Sequence, residues 1–152
     1  MKKLLLPLVG ILFMVSSCRE ESPVVKKADD TDFGTGEIFF AGKWARDFDA
    51  GGQQQTAEYY IYQDSIKYNL FGAVIDLNYV IEKDTFLMEK KQFVGHSYDG
   101  TKYFSLFFKN ITDDSLTIYK KIDFQNLEEA MEMEIPAPDD TENHGWNTFY
   151  KQ

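Results

Sequence analysis

The chain has 152 residues, a formal net charge of −9 at pH 7, 16% aromatic residues and a single cysteine. An acidic chain repels the phosphate backbone, so the charge argues against a nucleic acid as partner. One cysteine excludes an intramolecular disulfide and a multi-cysteine metal site, and the length suits a single domain with one core.

The N-terminal segment predicts an export signal. Met1-Lys2-Lys3 precedes an apolar run from Leu4 to Val15, which has the charge and length of a signal peptide and is too short for a membrane-spanning helix. The run ends in Val15-Ser16-Ser17-Cys18, which resembles a bacterial lipobox. The resemblance implies that residues 1–17 are removed and that Cys18 is lipid-modified on sulfur. An ordinary signal peptide with an incidental cysteine is the alternative.

Residues 18–36 predict a flexible tether between the lipid and the folded domain. The segment is polar and charged, with Pro23, Gly34 and Gly36, and buries too little apolar surface to offset its ordering entropy. Arg19-Glu20-Glu21 resembles a surface-export signal of some Bacteroidetes lipoproteins, although the start of a polar linker is an equal interpretation. Together the two resemblances imply anchoring to the outer membrane of a bacterial cell envelope, with exposure at the cell surface where the export signal acts.

Residues 37–152 predict a series of antiparallel strands. Apolar residues recur with period two, as in Ile66, Tyr68 and Leu70 with Lys67 and Asn69 between them, which is typical of half-buried strands. Aspartate followed by serine or threonine marks three turns, at residues 64–65, 84–85 and 114–115. The predicted strands are 45–48, 57–63, 65–71, 74–83, 85–94, 102–110, 115–122 and 145–151.

A short helix is predicted before the last strand. Phe124, Leu127, Ala130 and Met131 recur at helical spacing, with Asp123 as the N-cap and the prolines at 136 and 138 as the stop. A meander of this size hides its edges best by closing on itself. The predicted fold is therefore all-β: an antiparallel up-and-down eight-stranded barrel with one short helix before the last strand.

Gly42-Lys43-Trp44 opens the first strand of this barrel. The motif and the strand order over residues 37–152 resemble the lipocalins and related calycins. In that family the tryptophan packs across the closed bottom of the barrel, which implies a structural role for Gly42 and Trp44. A lipocalin also packs a late arginine on this tryptophan, but no arginine follows Arg46 here. The chain thus resembles the small lipocalin-like lipoproteins of Bacteroidetes.

The function stays open between two classes. The first is a protein that binds a small hydrophobic or amphipathic ligand in the barrel. The second is a non-enzymatic interaction module with a filled barrel, such as an inhibitor, an immunity-type protein or an envelope-assembly factor. The acidic stretch from Glu128 to Glu142 would suit a basic protein partner. The aromatic residues that could line a cavity are Tyr60, Tyr62, Tyr68, Tyr79, Tyr103 and Phe107.

No pattern indicates catalysis or a bound cofactor. The chain has no Gly-x-Ser-x-Gly elbow and no glycine-rich phosphate loop, so we expect a protein without enzymatic activity. Its two histidines, His96 and His144, are predicted to lie in exposed loops rather than in a zinc site.

Overall fold

The computed structural model describes residues 37–73 and 76–152. The predicted signal peptide, Cys18 and the tether lie outside the described residues. In the described part, eight antiparallel strands close into a barrel in which each strand pairs with its neighbours in sequence and the last pairs with the first. The elements are β1 (Gly42–Asp49), β2 (Gln54–Ile61), β3 (Ser65–Gly72), β4 (Leu77–Leu87), β5 (Gln92–Ser97), β6 (Tyr103–Lys109), β7 (Ser115–Phe124), α1 (Leu127–Glu132), a 3₁₀ turn (Glu142–His144) and β8 (Asn147–Lys151).

This architecture confirms the predicted fold class. Closure is made by β8, which pairs with β7 from Ser115 to Ile118 and with β1 at Trp44 and Ala45. β3 alternates as expected, with Ile66 and Tyr68 buried and Lys67 between them exposed, whereas β5 and β6 are buried on both faces. Closing the sheet leaves no free strand edge in this meander.

The second hairpin turns later than the sequence predicts. β4 continues past Asp84 to Leu87 through a register shift between Lys83 and Thr85, and the chain reverses where Lys91 donates its backbone N–H to Met88 at 3.1 Å. The carboxylate of Asp84 lies 2.9 Å from Nδ1 of His96 on the neighbouring strand. Because this cross-strand partner satisfies the aspartate, residues 84–85 form a bulge and not a turn.

The other two predicted aspartate turns are confirmed. Tyr62 donates its backbone N–H to the Ser65 carbonyl at 2.9 Å, and Thr112 does the same to Ser115 at 2.8 Å.

The helix begins later than predicted. Its N-cap is Asn126, whose side chain accepts the Glu129 N–H at 2.9 Å, whereas Asp123 still lies in β7, with a left-handed φ of 71°. Ala130 packs with Val94 and Phe124 on the outside of the barrel. The helix therefore covers the outer face of β5 to β7 and takes no part in lining the interior.

One end of the barrel is filled and closed. The lead-in segment at residues 38–40 is held there because Gln63, in the β2–β3 turn, bonds both the N–H and the carbonyl of Ile38. The Trp44 side chain is 1% exposed and its Nε1 donates to the Phe40 carbonyl at 3.0 Å. Gly42 has a φ of +145°, which L side chains rarely adopt. The backbone conformation therefore favours glycine at this position of the motif.

A lysine lies where the family resemblance implies an arginine. Nζ of Lys151, at the end of β8, is 5.7 Å from the centroid of the Trp44 ring. This distance is within the range of a cation–π contact.

Candidate functional site

Aromatic side chains from adjacent strands form a continuous layer across the barrel above its closed end. The ring centroids of Tyr59 and Tyr68 are 4.8 Å apart, those of Tyr68 and Tyr79 are 5.2 Å apart, and those of Tyr79 and Phe104 are 5.6 Å apart. Burial raises the pKa of each of the three tyrosines. Their hydroxyls therefore stay protonated near neutral pH and present hydrogen-bond donors inside the barrel. We call this set the aromatic layer.

Lys120 of β7 lies against the aromatic layer. It shares the inward face of its strand with Leu116 and Ile118, its Nζ donates to the Tyr79 hydroxyl at 2.6 Å and it lies 3.9 Å from the centroid of the Tyr68 ring. Burial lowers the pKa of Lys120 to about 8. At pH 7 the group is still mostly an ammonium, and only one of its three donors has a partner among the described residues.

Arg46 supplies a second cation from β1. It follows Trp44 on the inward face of that strand, and its guanidinium donates to the side-chain oxygen of Asn147. Burial raises the pKa of Tyr68 and the charge of Arg46 opposes that rise. Arg46 and Lys120 therefore both face the inside of the barrel, one from β1 and one from β7.

Gln55 adds a polar group without a partner. The residue is 3% exposed on the inward face of β2, and among residues 37–73 and 76–152 neither its amide nitrogen nor its oxygen has a hydrogen-bond partner. The amide packs over Gly72, where an added Cβ would come within 2.8 Å of it. Leaving a buried amide unpaired costs about 1–3 kcal/mol, so this position suits a bound water or ligand that would satisfy the group.

The charge of the interior is opposite to that of the chain. Acidic side chains in the described strands lie on the outer face, as shown by Asp47, which accepts from Thr56 at 2.6 Å, and by Glu58, which pairs with Lys43 at 2.7 Å. Within residues 37–73 and 76–152, no ion pair involves Lys120 or Arg46. The interior thus holds two cations and no countercharge from the described strands.

Apolar side chains form the rim of this end of the barrel. Phe48, Leu70 and Ile122 are partly buried and pack against the core, and Leu77 is 45% exposed. Since these residues admit solvent while those around Trp44 do not, we call this end the open end. The two cations at this end, Lys120 and Arg46, are surrounded by an apolar rim.

The structure brings together two of the six aromatic residues predicted from sequence to line a cavity. Tyr68 and Tyr79 lie in the aromatic layer. Tyr60 faces outward and donates its hydroxyl to Glu58 at 2.9 Å, and Tyr62 is 50% exposed just after β2. These two residues are out of phase with Tyr59, which is the inward-facing tyrosine of β2.

The last two predicted lining residues lie on the outer face of β6. Tyr103 packs with the cluster under α1, and Phe107 is fully buried opposite Tyr119. The sequence prediction missed Lys120, Arg46 and Gln55 as site residues. Strand phase was the available signal for Lys120 and Arg46, because large apolar residues lie two positions away on both sides of each, whereas their polar character favoured the outer face.

A second concavity of about 560 Å³ lies outside the barrel, between residues 89–91 and residues 135–138. Nζ of Lys109 lies 3.7 Å from the centroid of the Trp146 ring, and Nε1 of that tryptophan donates to the Ala137 carbonyl at 2.8 Å. Lys90 donates to the backbone carbonyls of Met131, in the last turn of α1, and of Met133, just after the helix. Several polar groups of this outer groove are already paired, in contrast to the Gln55 amide at the open end.

The prediction that both histidines lie in exposed loops is wrong for His96, which lies in β5 and is partly buried. His96 lies between Asp84, at 2.9 Å, and Glu82, at 3.5 Å, and His144 is exposed in the 3₁₀ turn. Among the described residues, no group of three or more histidine, cysteine or carboxylate side chains could hold a metal ion.

No protein-family model, curated protein or solved structure matches this chain. The helices of the described segments include none with the length and apolar character to cross a bilayer. The structure thus shows a closed eight-stranded antiparallel barrel with a cationic, tyrosine-rich open end.

Proposed function

We propose that this protein is a lipid-anchored cell-envelope protein, lipocalin-like in fold, that binds a small hydrophobic or amphipathic ligand at the open end of its barrel. The observation that supports this most directly is the set of unpaired polar groups facing inward. The Gln55 amide has no partner, and the Lys120 ammonium has one. Ligand sites place a few such polar groups within an apolar surround.

The apolar rim would supply the binding free energy. Phe48, Leu70, Leu77 and Ile122 retain exposed surface at the open end, and covering apolar surface gains roughly 25 cal/mol for each square ångström. The floor beneath them is already built from packed aromatic rings, so little conformational entropy is lost on binding. We propose binding without a chemical step.

Ligand binding is tested on protein extracted from its native cell envelope. We expect native mass spectrometry of the full-length protein, extracted in mild detergent, to show an adduct. Fractions of a lipid and fatty-acid extract should raise the melting temperature of the stripped protein. An empty chain that no fraction stabilises would reject ligand binding.

The proposal of a lipid anchor is based on the resemblance of Val15-Ser16-Ser17-Cys18 to a lipobox. It is tested separately from ligand binding. Cells expressing the wild type should incorporate labelled palmitate into the protein and retain it in the membrane fraction. Cys18→Ala should abolish the label. A wild-type chain that takes up no palmitate and stays in the soluble fraction would contradict the anchor while leaving ligand binding untouched.

The second candidate is a non-enzymatic protein-interaction module. The outer groove beside Trp146 and the filled lower half of the barrel favour it, and the exposed acids of α1 and the following loop would suit a basic partner. Crosslinking in intact cells separates the two functions. A single specific protein crosslinked near Glu132, together with an empty barrel, would support the interaction module.

A further inference from the structure

We propose that the ligand of the open end is an amphipathic anion, with a carboxylate or phosphate headgroup, that enters headgroup first and is received by Lys120 and Arg46. This inference rests on the proposed function and adds the chemical class and the orientation of the ligand.

The sign of the headgroup follows from the inward-facing charges. Lys120 and Arg46 both face the interior, where Lys120 contacts the Tyr68 ring and Arg46 donates to Asn147 near the start of β8, and the acids of the described strands face outward. Two like charges in one partly desolvated site repel each other, and an anion between them would convert that repulsion into attraction. A neutral or cationic headgroup would leave the repulsion in place.

The hydrogen-bonding groups point to the same class of ligand. Lys120 retains two unused N–H donors, Gln55 offers an unpartnered amide, and the tyrosine hydroxyls of the aromatic layer can donate. Carboxylate and phosphate oxygens accept several hydrogen bonds at once, and charge-assisted bonds to ammonium and guanidinium groups are the strong ones. A headgroup rich in acceptors is therefore complementary to a site rich in donors.

The orientation follows from the order of polar and apolar groups along the barrel axis. The cations lie on the aromatic layer, and the partly exposed apolar side chains of Phe48, Leu70, Leu77 and Ile122 lie around it. Below the layer the barrel is filled by side chains such as Phe93 and Leu106, both fully buried. A chain-first ligand would meet that packed core, whereas a headgroup-first ligand places its apolar part on the rim.

The test compares three probes of equal chain length: octanoate, octyl phosphate and octanol. Equilibrium dialysis of the full-length protein in nonionic detergent, against detergent alone, measures binding free of partition into micelles. At pH 7 we expect each anion to bind at least tenfold more tightly than octanol. Tighter binding of octyl phosphate than of octanoate would assign a phosphate headgroup, the reverse would assign a carboxylate, and equal binding of both supports the shared anionic class.

Lys120→Met keeps the length of the side chain and removes its charge. We expect it to lower the affinity for both anions about tenfold and to leave octanol binding unchanged. Lys121→Met is the matched control, because the neighbouring lysine faces outward, with its Nζ 5.5 Å from the Phe124 ring centroid, and should change neither. Equal wild-type affinity for octanoate and octanol, or anion binding that survives Lys120→Met, would overturn the inference but not the proposed function. Failure of all three probes to bind would count against the proposed function itself.

A pH titration of the wild type tests the same inference without a substitution. The charged and titratable groups that face Lys120 from the described strands are Arg46, Tyr68 and Tyr79. Burial raises the pKa of both tyrosines, so they stay uncharged between pH 7 and 9. Octanoate binding should therefore weaken above pH 8 as Lys120 loses its proton, while octanol binding should not. Octanoate affinity that is constant from pH 7 to 9.5 would contradict the inference.

Discussion

The two ends of this barrel are built from the same strands but differ in how their polar groups are paired. At the closed end, Trp44 donates to a backbone carbonyl and is surrounded by apolar side chains such as Phe40 and Phe108. At the open end, Lys120 and Gln55 face inward with few or no partners. The closed end satisfies its polar groups and excludes water, as a core selected for stability should.

The open end contains polar groups whose burial lowers the stability of the fold. A lysine whose burial lowers its pKa to about 8 is held in its charged form at a free-energy cost, and the unpaired Gln55 amide adds to that cost. Such costs are found where a site is shaped for a ligand and not for folding. Substitutions at the two ends should therefore change stability in opposite directions.

The largest effect is expected at the closed end. Trp44→Ala removes a side chain that is 1% exposed and should lower the free energy of unfolding by about 3–5 kcal/mol, the usual range for truncation of a buried aromatic residue. Urea denaturation monitored by far-ultraviolet circular dichroism measures it. Trp146→Ala, on the outside of the barrel, is the control and should cost markedly less. A Trp44→Ala loss near zero would show that this end does not hold the fold together.

The opposite sign is expected at the open end. Lys120→Met replaces a buried, unpaired ammonium with an apolar side chain of similar length and should raise the free energy of unfolding by about 1–2 kcal/mol, after allowing for the lost hydrogen bond to Tyr79. Lys121→Met should leave stability within about 0.5 kcal/mol of the wild type. Destabilisation by Lys120→Met would mean that the lysine is a structural residue, and the contrast between the two ends would disappear.

The pH dependence of stability gives an independent measure of the same lysine. Its pKa is lowered on folding from 10.5 to about 8, so the unfolded chain binds more protons between these values. Stability contributed by this group therefore rises as the pH increases from about 8 to 10.5. The difference in unfolding free energy between Lys120→Met and wild type should shrink over this window, since other groups cancel. A difference that is constant from pH 7 to 10 would contradict the assigned shift.

The smallest effect sharpens the comparison between a paired and an unpaired buried amide. Gln92 donates to Ser105 at 2.8 Å and to the Ala130 carbonyl at 2.7 Å, so Gln92→Leu should lower stability by about 1–2 kcal/mol. Gln55→Leu removes an amide without partners and should be neutral or stabilising by up to about 1 kcal/mol. Both are read from urea denaturation. Equal losses for the two variants would show that Gln55 is satisfied in solution.

Strand periodicity predicted most of the fold but not the second hairpin. The turns at residues 64–65 and 114–115 were correct because local backbone bonds close them. At Asp84 the same local signal was overridden, since the carboxylate found a partner in His96 across the strand pair. A turn prediction made from neighbouring residues takes no account of a contact with a residue twelve positions away in the sequence.

The sequence by itself determined that this is a closed antiparallel barrel with a late helix, because period-two alternation and short connections are properties of neighbouring residues. It also pointed to Tyr68 and Tyr79, which share the phase of buried neighbours. Only the tertiary structure decided that Lys120, Arg46 and Gln55 face inward and that the acids of the strands face outward. Polarity alone places such residues on the surface, and only the pairing of the closed sheet shows that both cations face its interior.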